Sequence, residues 1–478
     1  MKTEDVTPTD TADGTGHGPP GPPDRTQDRA RRAGRADLVA AAAGVLLVVA
    51  AVLIGRIIQD RDGTLFAQWP PFLASWDPHL GPGTPAALTM AVLVVAYGPS
   101  LAARLPWRGL LAAAWAGSTV WVFSMALIDG WYRGVERRLT TKHEYLQVID
   151  RFADIPATLR GFTDHILFDA PGNWPAHVAG HPPGATLTFV WLDRIGLGGG
   201  AWAAVWCVVV GSSAVLAALI TVRVLADERL ARRAAPFLVL APAAVWAGVS
   251  ADGYFAAVAA WSVALLALAA TRLVRFPAAA AVGGGLLFGW TCYLSYGLGL
   301  MAAVLLAVLV LARTARPVPL FLLGALVVPV AFALVGFNWW TAYHLLVERY
   351  YQGAGGVRPY GYWVWANLAC ATVAAGLAAV AGLRRSAVAA PGAVRALRGG
   401  PAASPEGRLA LIVLAGLAAL LAADLSGMSK AETERIWQPF LLWLLPAAAL
   451  LPRRGVRWWL VASAVPALLV NHLLWTGW

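Results

Sequence analysis

The feature that most constrains this chain is a succession of apolar stretches, each near or above the length that crosses a bilayer as a helix. About 20 apolar residues span ~30 Å of hydrocarbon. Such stretches fall at 38–58, 84–103, 109–128, 200–224, 234–249, 253–271, 278–293, 296–312, 317–337, 361–383, 409–424, 435–452 and 458–475. About thirteen spans are therefore expected. Charged residues make up 13% of the chain, against roughly 25% in soluble domains. The fold class that follows is an all-α polytopic membrane protein.

The formal charge of +11 would suit nucleic acid, but its distribution points elsewhere. Arginines gather in five short turns, at Arg229/Arg232/Arg233, Arg272/Arg275, Arg313/Arg316, Arg384/Arg385 and Arg453/Arg454/Arg457. With the N-terminus inside, all five fall on the cytoplasmic side, as the positive-inside rule requires. The basic excess is then a topology signal in a multi-pass plasma-membrane protein whose C-terminus is external. All histidines except His17 face outward in this arrangement. Cys207, Cys292 and Cys370 lie inside apolar stretches, which leaves neither a disulfide framework nor a zinc pattern.

Six regions follow. Residues 1–36, rich in Thr, Asp, Gly and Pro, read as a disordered cytoplasmic tail. Three spans occupy 37–128, and an external loop with a juxtamembrane helix occupies 129–199. Central spans are expected over 200–385, a cytoplasmic linker over 386–408, and the last spans over 409–478, with no soluble domain expected after them.

The loop is the one long polar interval. It carries apolar residues at helix-like spacing (Tyr145, Ile149, Phe152, Leu159, Phe162, Ile166), so it is expected to fold. Trp174, like Trp69, Trp76, Trp131, Trp339 and Trp340, sits where an interfacial aromatic belt is expected.

Three external places have the residue types that chemistry needs. Asp129 and Glu144 offer carboxylates close to the membrane surface, where one could take a proton from an attacking hydroxyl. The run His177 to Gly184 contains His181-Pro182-Pro183-Gly184, with two prolines where a helix begins. Its free amides are a candidate anion site, to which the histidines add donors. Pro182 disfavours the helix that would align both imidazoles on a metal, so no metal ligand is assigned. The third place, Lys430 to Trp437, packs Lys430, Glu432, Glu434 and Arg435 at a helix mouth, where Arg435 could grip a phosphate bidentately. Asp252, at the start of a span, is a lone acid on the same side.

The order of these features resembles the GT-C-fold glycosyltransferases: a span, a long acidic loop, His-Pro-Pro-Gly, a helix, a basic turn, a span, then an acid at a helix start. Within that group it is similar to protein mannosyltransferase and lipid A aminoarabinose transferase relatives and to actinobacterial cell-wall arabinosyl- and mannosyltransferases. The resemblance covers about residues 110–345, with Lys430 to Trp437 similar to a later charged motif. It implies a polyprenyl-phosphate sugar as donor, used at the outer face without a nucleotide cofactor, and leaves a divalent metal open. It also implies a catalytic acid in the first long external loop, here Asp129 or Glu144. The chain departs from the pattern in lacking an adjacent Asp-Glu pair in the loop and in placing extra spans before it.

The expected function is inverting transfer of a hexosyl or pentosyl group to a cell-envelope glycan, lipid or protein. Glu144 or Asp129 serves as base, and Tyr145, His177, His181, Pro182, Pro183, Gly184, Asp252, Lys430, Glu432, Glu434 and Arg435 hold substrate. Lys430, Arg435 and His181 are the expected cations for the departing phosphate. The alternative is a transporter, flippase or non-catalytic envelope assembly protein. A transporter should break its helices and place polar groups at mid-membrane depth.

Overall fold

The computed structural model describes Thr3, residues 25–399 and residues 403–476. The chain opens with α1 (Arg25–Asp62), a short strand β1 (Ala74–Trp76), α2 (Thr84–Arg104) and α3 (Trp107–Ala126). The polar loop then folds into short turns of helix, among them α4 (Ile155–Arg160) and α5 (Ala176–Gly180), before α6 (Gly184–Arg194). The central bundle comprises α7 (Gly199–Ser212), α8 (Ala214–Leu225), α9 (Glu228–Val239), α10 (Ala244–Ala247), α11 (Ala251–Thr271), α12 (Pro277–Leu294), α13 (Ala302–Ala312) and α14 (Val318–Leu334). After it come α15 (Trp339–Gln352), α16 (Ala354–Val357), α17 (Tyr360–Ala375), α18 (Leu377–Leu397) and α19 (Pro405–Leu425). The chain closes with α20 (Thr433–Ile436), α21 (Gln438–Leu441), α22 (Val456–Leu473) and β2 (Leu474–Thr476), which pairs antiparallel with β1.

The all-α membrane architecture stands, with fewer simple spans than the sequence suggests. Among the described residues eight helices are long and apolar enough to cross a membrane, or up to ten if each of two bent pairs is one span. The expected span 234–249 stops at Val239 and resumes only as the single turn α10, because Pro242 and Gly248 interrupt it. The stretch 361–383 breaks at Gly376 (φ +82°), where α18 turns away from α17 by 108°. The expected linker 386–408 is helical as far as Leu397, and residues 25–36 of the expected tail already belong to α1. Apart from Thr3, residues 1–24 lie outside the described residues.

Helix α11 is the centre of the bundle, buried along most of its length, while α1, α2 and α22 stand at the edge. Small residues let α12 and α14 approach closely. A Cβ at Gly285 would lie 1.8 Å from the Phe321 carbonyl oxygen, so only glycine fits there.

The bundle has two chemically distinct ends. At one, Arg408 donates to the carbonyls of Leu225 and Leu311, Arg313 to Ala396, and Asp37 accepts from Arg384 and Arg385. At the other lie the loop, the start of α11 and the turn before α20. Arg138 ties the C-terminal strand to this second end by donating to the Thr476 carbonyl at 2.7 Å.

The loop folds around Trp174, which is buried rather than interfacial. Its indole N–H donates to the Phe162 carbonyl, its ring stacks on that of Phe162 with Phe152 tilted against it, and Arg151 lies 3.5 Å over its face. Arg349 of α15 clamps the loop from the bundle side through the carbonyls of Ile166 and Trp174.

Candidate active site

Four segments distant in sequence meet at the polar end. Glu144 precedes a 3-10 turn (Tyr145–Phe152) in extended backbone, and its side chain is buried. His177 sits on α5, whose position is fixed where the His177 amide donates to the His143 carbonyl at 2.9 Å. Asp252 lies in the first turn of α11, and Arg435 lies on α20.

His177 joins the set. Its Nδ1 is 2.8 Å from Glu144 Oε1, and its Nε2 is 3.4 Å from both terminal nitrogens of Arg435. This geometry fits the tautomer with the proton on Nδ1, donating to the carboxylate and accepting from the guanidinium. Arg435 is flanked in turn by Asp252 at 3.4 Å and Glu432 at 3.2 Å.

The second oxygen of Glu144, Oε2, is buried and has no hydrogen-bond partner among the described residues. Ser250 Oγ, on the wall of the same pocket, is in the same condition. The pocket is also lined by Tyr145, His181 and Asp252, and its volume of about 10 Å³ is room for roughly one water-sized group. Buried acceptors without partners are costly, so a hydroxyl placed there would be held firmly.

The electrostatics separate the roles. Burial alone would raise the Glu144 pKa, but its contact with His177 and the charge of Arg435 outweigh it and hold it below the usual value. The carboxylate is ionised at neutral pH and ready to accept a proton. Burial lowers the His181 pKa to about 4 against the opposing pull of Asp252, so this imidazole is neutral. It is held by the His177 carbonyl at 2.8 Å and the Tyr145 hydroxyl at 3.1 Å. Burial, with the charges of Asp252 and Glu144, raises the Tyr145 pKa and keeps the phenol protonated. For Arg435 the burial penalty is overcome by Asp252, Glu432 and Glu144, and the charged form is favoured.

Several expected residues take other places. Asp129 bonds Arg138 at 2.5 Å and lies 3.0 Å from His79, a separate cluster that ties the end of α3 to the C-terminal strand. The reason is local: Arg138 lies nine residues on, beyond the π-helical turn Tyr132–Glu136, and needs a buried counter-ion. Lys430 donates to the Gly355 carbonyl at 2.7 Å beside the Tyr351 ring, so it does not converge with Arg435 on one anion. His181, being neutral, supplies no positive charge. Glu434 is buried next to Cys370, without a conventional donor to either oxygen, and burial pushes its carboxyl up to about 7.

Pro182 and Pro183 do start a helix, and α6 follows at once. Its first turn is packed rather than open, because Gly184 lies against the Tyr293 carbonyl, where a Cβ would come within 2.5 Å. A carbonyl there opposes an anion, so the motif orients His181 and seats α6 without forming a phosphate cradle.

Sequence reasoning missed Ser250, His79, Arg138 and Arg358. Arg358 lies 4.0 Å from Glu432 and donates to the carbonyls of Leu65 and Lys430, fixing the turn before α20. Among the described residues, no three His, Cys, Asp or Glu side chains converge as a metal-ligand set.

No family model and no curated protein matches the sequence. Solved structures of an Archaeoglobus fulgidus oligosaccharyltransferase are similar in helix arrangement. The complex with zinc and sulfate has a TM-score of 0.46 at 16% identity, covering 76% of this chain and 52% of its own. The form tethered to an acceptor peptide has a TM-score of 0.44 at 15% identity, covering 76% and 54%. The complex with an inhibitory peptide and a dolichol-phosphate has a TM-score of 0.44 at 14% identity, covering 77% and 56%. The chain therefore spans about half the length of these structures. At such identity the likeness says nothing of activity.

Proposed function

We propose that the protein is a membrane glycosyltransferase that moves a sugar from a polyprenyl-phosphate donor to a cell-envelope acceptor on the external face. The observation that carries this reading is the partnerless Oε2 of an ionised, buried Glu144, held by His177 beside Arg435. Glu144 forms part of the wall of a pocket the size of one hydroxyl. A sugar ring is too large for that space, and His177 and Glu432 nearby are half-buried.

The chemistry is a single displacement. The acceptor hydroxyl gives its proton to Glu144 Oε2 as its oxygen attacks the anomeric carbon, and the bond from that carbon to the phosphate oxygen breaks with its electrons on the phosphate. Attack opposite the leaving group inverts the anomeric configuration. The growing negative charge on the phosphate is stabilised best by a fixed cation in a water-poor setting, and Arg435 is the candidate. His177 positions the base through Nδ1 and hands the field of Arg435 on to it.

The transporter alternative has less support. Its one structural feature is the two bent helix pairs, at Val335–Asn338 and at Gly376, which read equally as broken spans or re-entrant turns. Mass spectrometry of envelope glycans and lipid-linked sugars, with and without the gene, tests the reading. Loss of one glycosidic product with accumulation of a polyprenyl-phosphate sugar is expected. Identical profiles would refute it.

A further inference from the structure

At the arginine-rich end, opposite Glu144, a cleft of about 750 Å³ opens between α2, α9 and the start of α22. Five arginines line it: Arg229, Arg232, Arg233, Arg453 and Arg457. Arg229 is paired with Glu406 and Asp227, and Arg232 with Glu228. Arg233 donates to the Leu451 carbonyl, and Arg457 to that of Ala96. Among the described residues, Arg233, Arg453 and Arg457 have no carboxylate partner within ion-pair distance. Burial, then the neighbouring charges of Arg229 and Arg453, lower the Arg233 pKa, so Arg233 sits among like charges.

Ser100 apart, the rest of the cleft is apolar, with Pro99, Pro236, Phe237 and the largely exposed Trp458. It is continuous with a second groove of about 480 Å³ that shares Ser100 and Pro236. That groove is walled by Met90, Val94, Leu110 and Val239 and runs along α2, whose Leu93, Tyr97 and Leu101 are exposed at the bundle edge. A cationic cup leading into an apolar channel at the perimeter has the shape and polarity of an amphiphile.

We propose that this cleft binds an anionic phospholipid, its phosphate on Arg233, Arg453 and Arg457 and an acyl chain in the adjoining groove. Guanidinium forks grip phosphate oxygens in pairs, and basic pockets between spans on one membrane face are suited to phosphate headgroups. A soluble anion would leave the apolar channel unused, and a zwitterionic lipid would bring a headgroup cation into a cup already crowded with arginines. The site is independent of the glycosyl-transfer reading.

Native mass spectrometry of the full chain in neutral detergent tests it, titrating with dioleoyl phosphatidylglycerol, dioleoyl phosphatidylcholine or inorganic phosphate. One phosphatidylglycerol should be retained at least ~10-fold more tightly than phosphatidylcholine, about 1.4 kcal/mol, and inorganic phosphate should not displace it. Arg453→Gln/Arg457→Gln should weaken retention about tenfold, while Arg272→Gln/Arg275→Gln, in another basic turn, should leave it unchanged. Ser100→Trp, which obstructs the junction without altering charge, should also weaken it. Equal retention of both lipids, unchanged retention in Arg453→Gln/Arg457→Gln, or displacement by inorganic phosphate would overturn the proposal.

Discussion

His177 Nδ1 lies 2.8 Å from Glu144 Oε1, while the opposite ring nitrogen faces Arg435. One imidazole thus links the candidate base to the candidate phosphate-binding cation. Because Oε1 is engaged, Oε2 is left to meet the acceptor. Glu144→Gln keeps the shape and removes the proton acceptor. It should lower turnover by ~10²–10⁴-fold with donor binding intact, measured as transfer from a polyprenyl-phosphate sugar in nanodiscs. Wild-type turnover would remove Glu144 from the mechanism.

Asp129 should behave differently. Its carboxylate is the buried counter-ion of Arg138, so Asp129→Asn should destabilise the fold by about 3–5 kcal/mol. Thermal unfolding in detergent reads this directly. A stable Asp129→Asn protein with turnover reduced as in Glu144→Gln would reverse the two assignments.

Arg435→Lys retains a charge but cannot face His177, Asp252 and Glu432 together from one planar fork. Affinity for a polyprenyl-phosphate should fall about tenfold, and further in Arg435→Ala. Lys430→Met should leave that affinity unchanged and cost about 1–3 kcal/mol of stability by orphaning the Gly355 carbonyl. Equal affinity in wild type and both Arg435 variants would place the phosphate elsewhere.

These contrasts mark what the sequence could and could not disclose. Helices such as α2, α11 and α19 were legible because their apolar runs are continuous, and the start of α6 because two prolines announce it. The interruption at Pro242 and Gly248 was masked by the alanines and valines around it. Glu144, His177, Asp252 and Arg435 were each visible as candidates. Their meeting was not, because tertiary packing alone joins 144 to 435. Lys430 and Arg435 share a short charged run, yet the left-handed backbone at Ala431 and Glu432 turns them to different partners. Nothing in residue spacing encodes that.

The pH dependence separates two groups. His181 has a folded pKa of about 4 against 6.5 unfolded, so the fold favours its neutral form. Its contribution to stability is complete above pH 6.5 and is lost as pH falls towards 4. The Glu144 contribution, from a depressed carboxylate, is lost only below its ordinary value of 4.5. Unfolding midpoints of wild type and His181→Asn should therefore converge between pH 6.5 and 4. A constant gap would show that His181 does not titrate as assigned.

Membrane orientation has its own check. Cysteines at Thr163 and Ser426, in the loop and in the turn after α19, should both react with an impermeant thiol reagent in intact cells. Labelling at neither would turn the site inward, and labelling at one alone would separate two segments that Arg435 and His177 bring together.

The central claim is that Glu144 drives transfer from a lipid-linked sugar. The most direct measurement compares cells in which the only copy is wild type or Glu144→Gln at equal protein level, quantifying polyprenyl-phosphate sugars and envelope glycans by mass spectrometry. In Glu144→Gln cells the account predicts accumulation of one lipid-linked sugar and loss of its glycosidic product, restored by the wild-type gene. Indistinguishable lipid and glycan profiles in the two strains would contradict it.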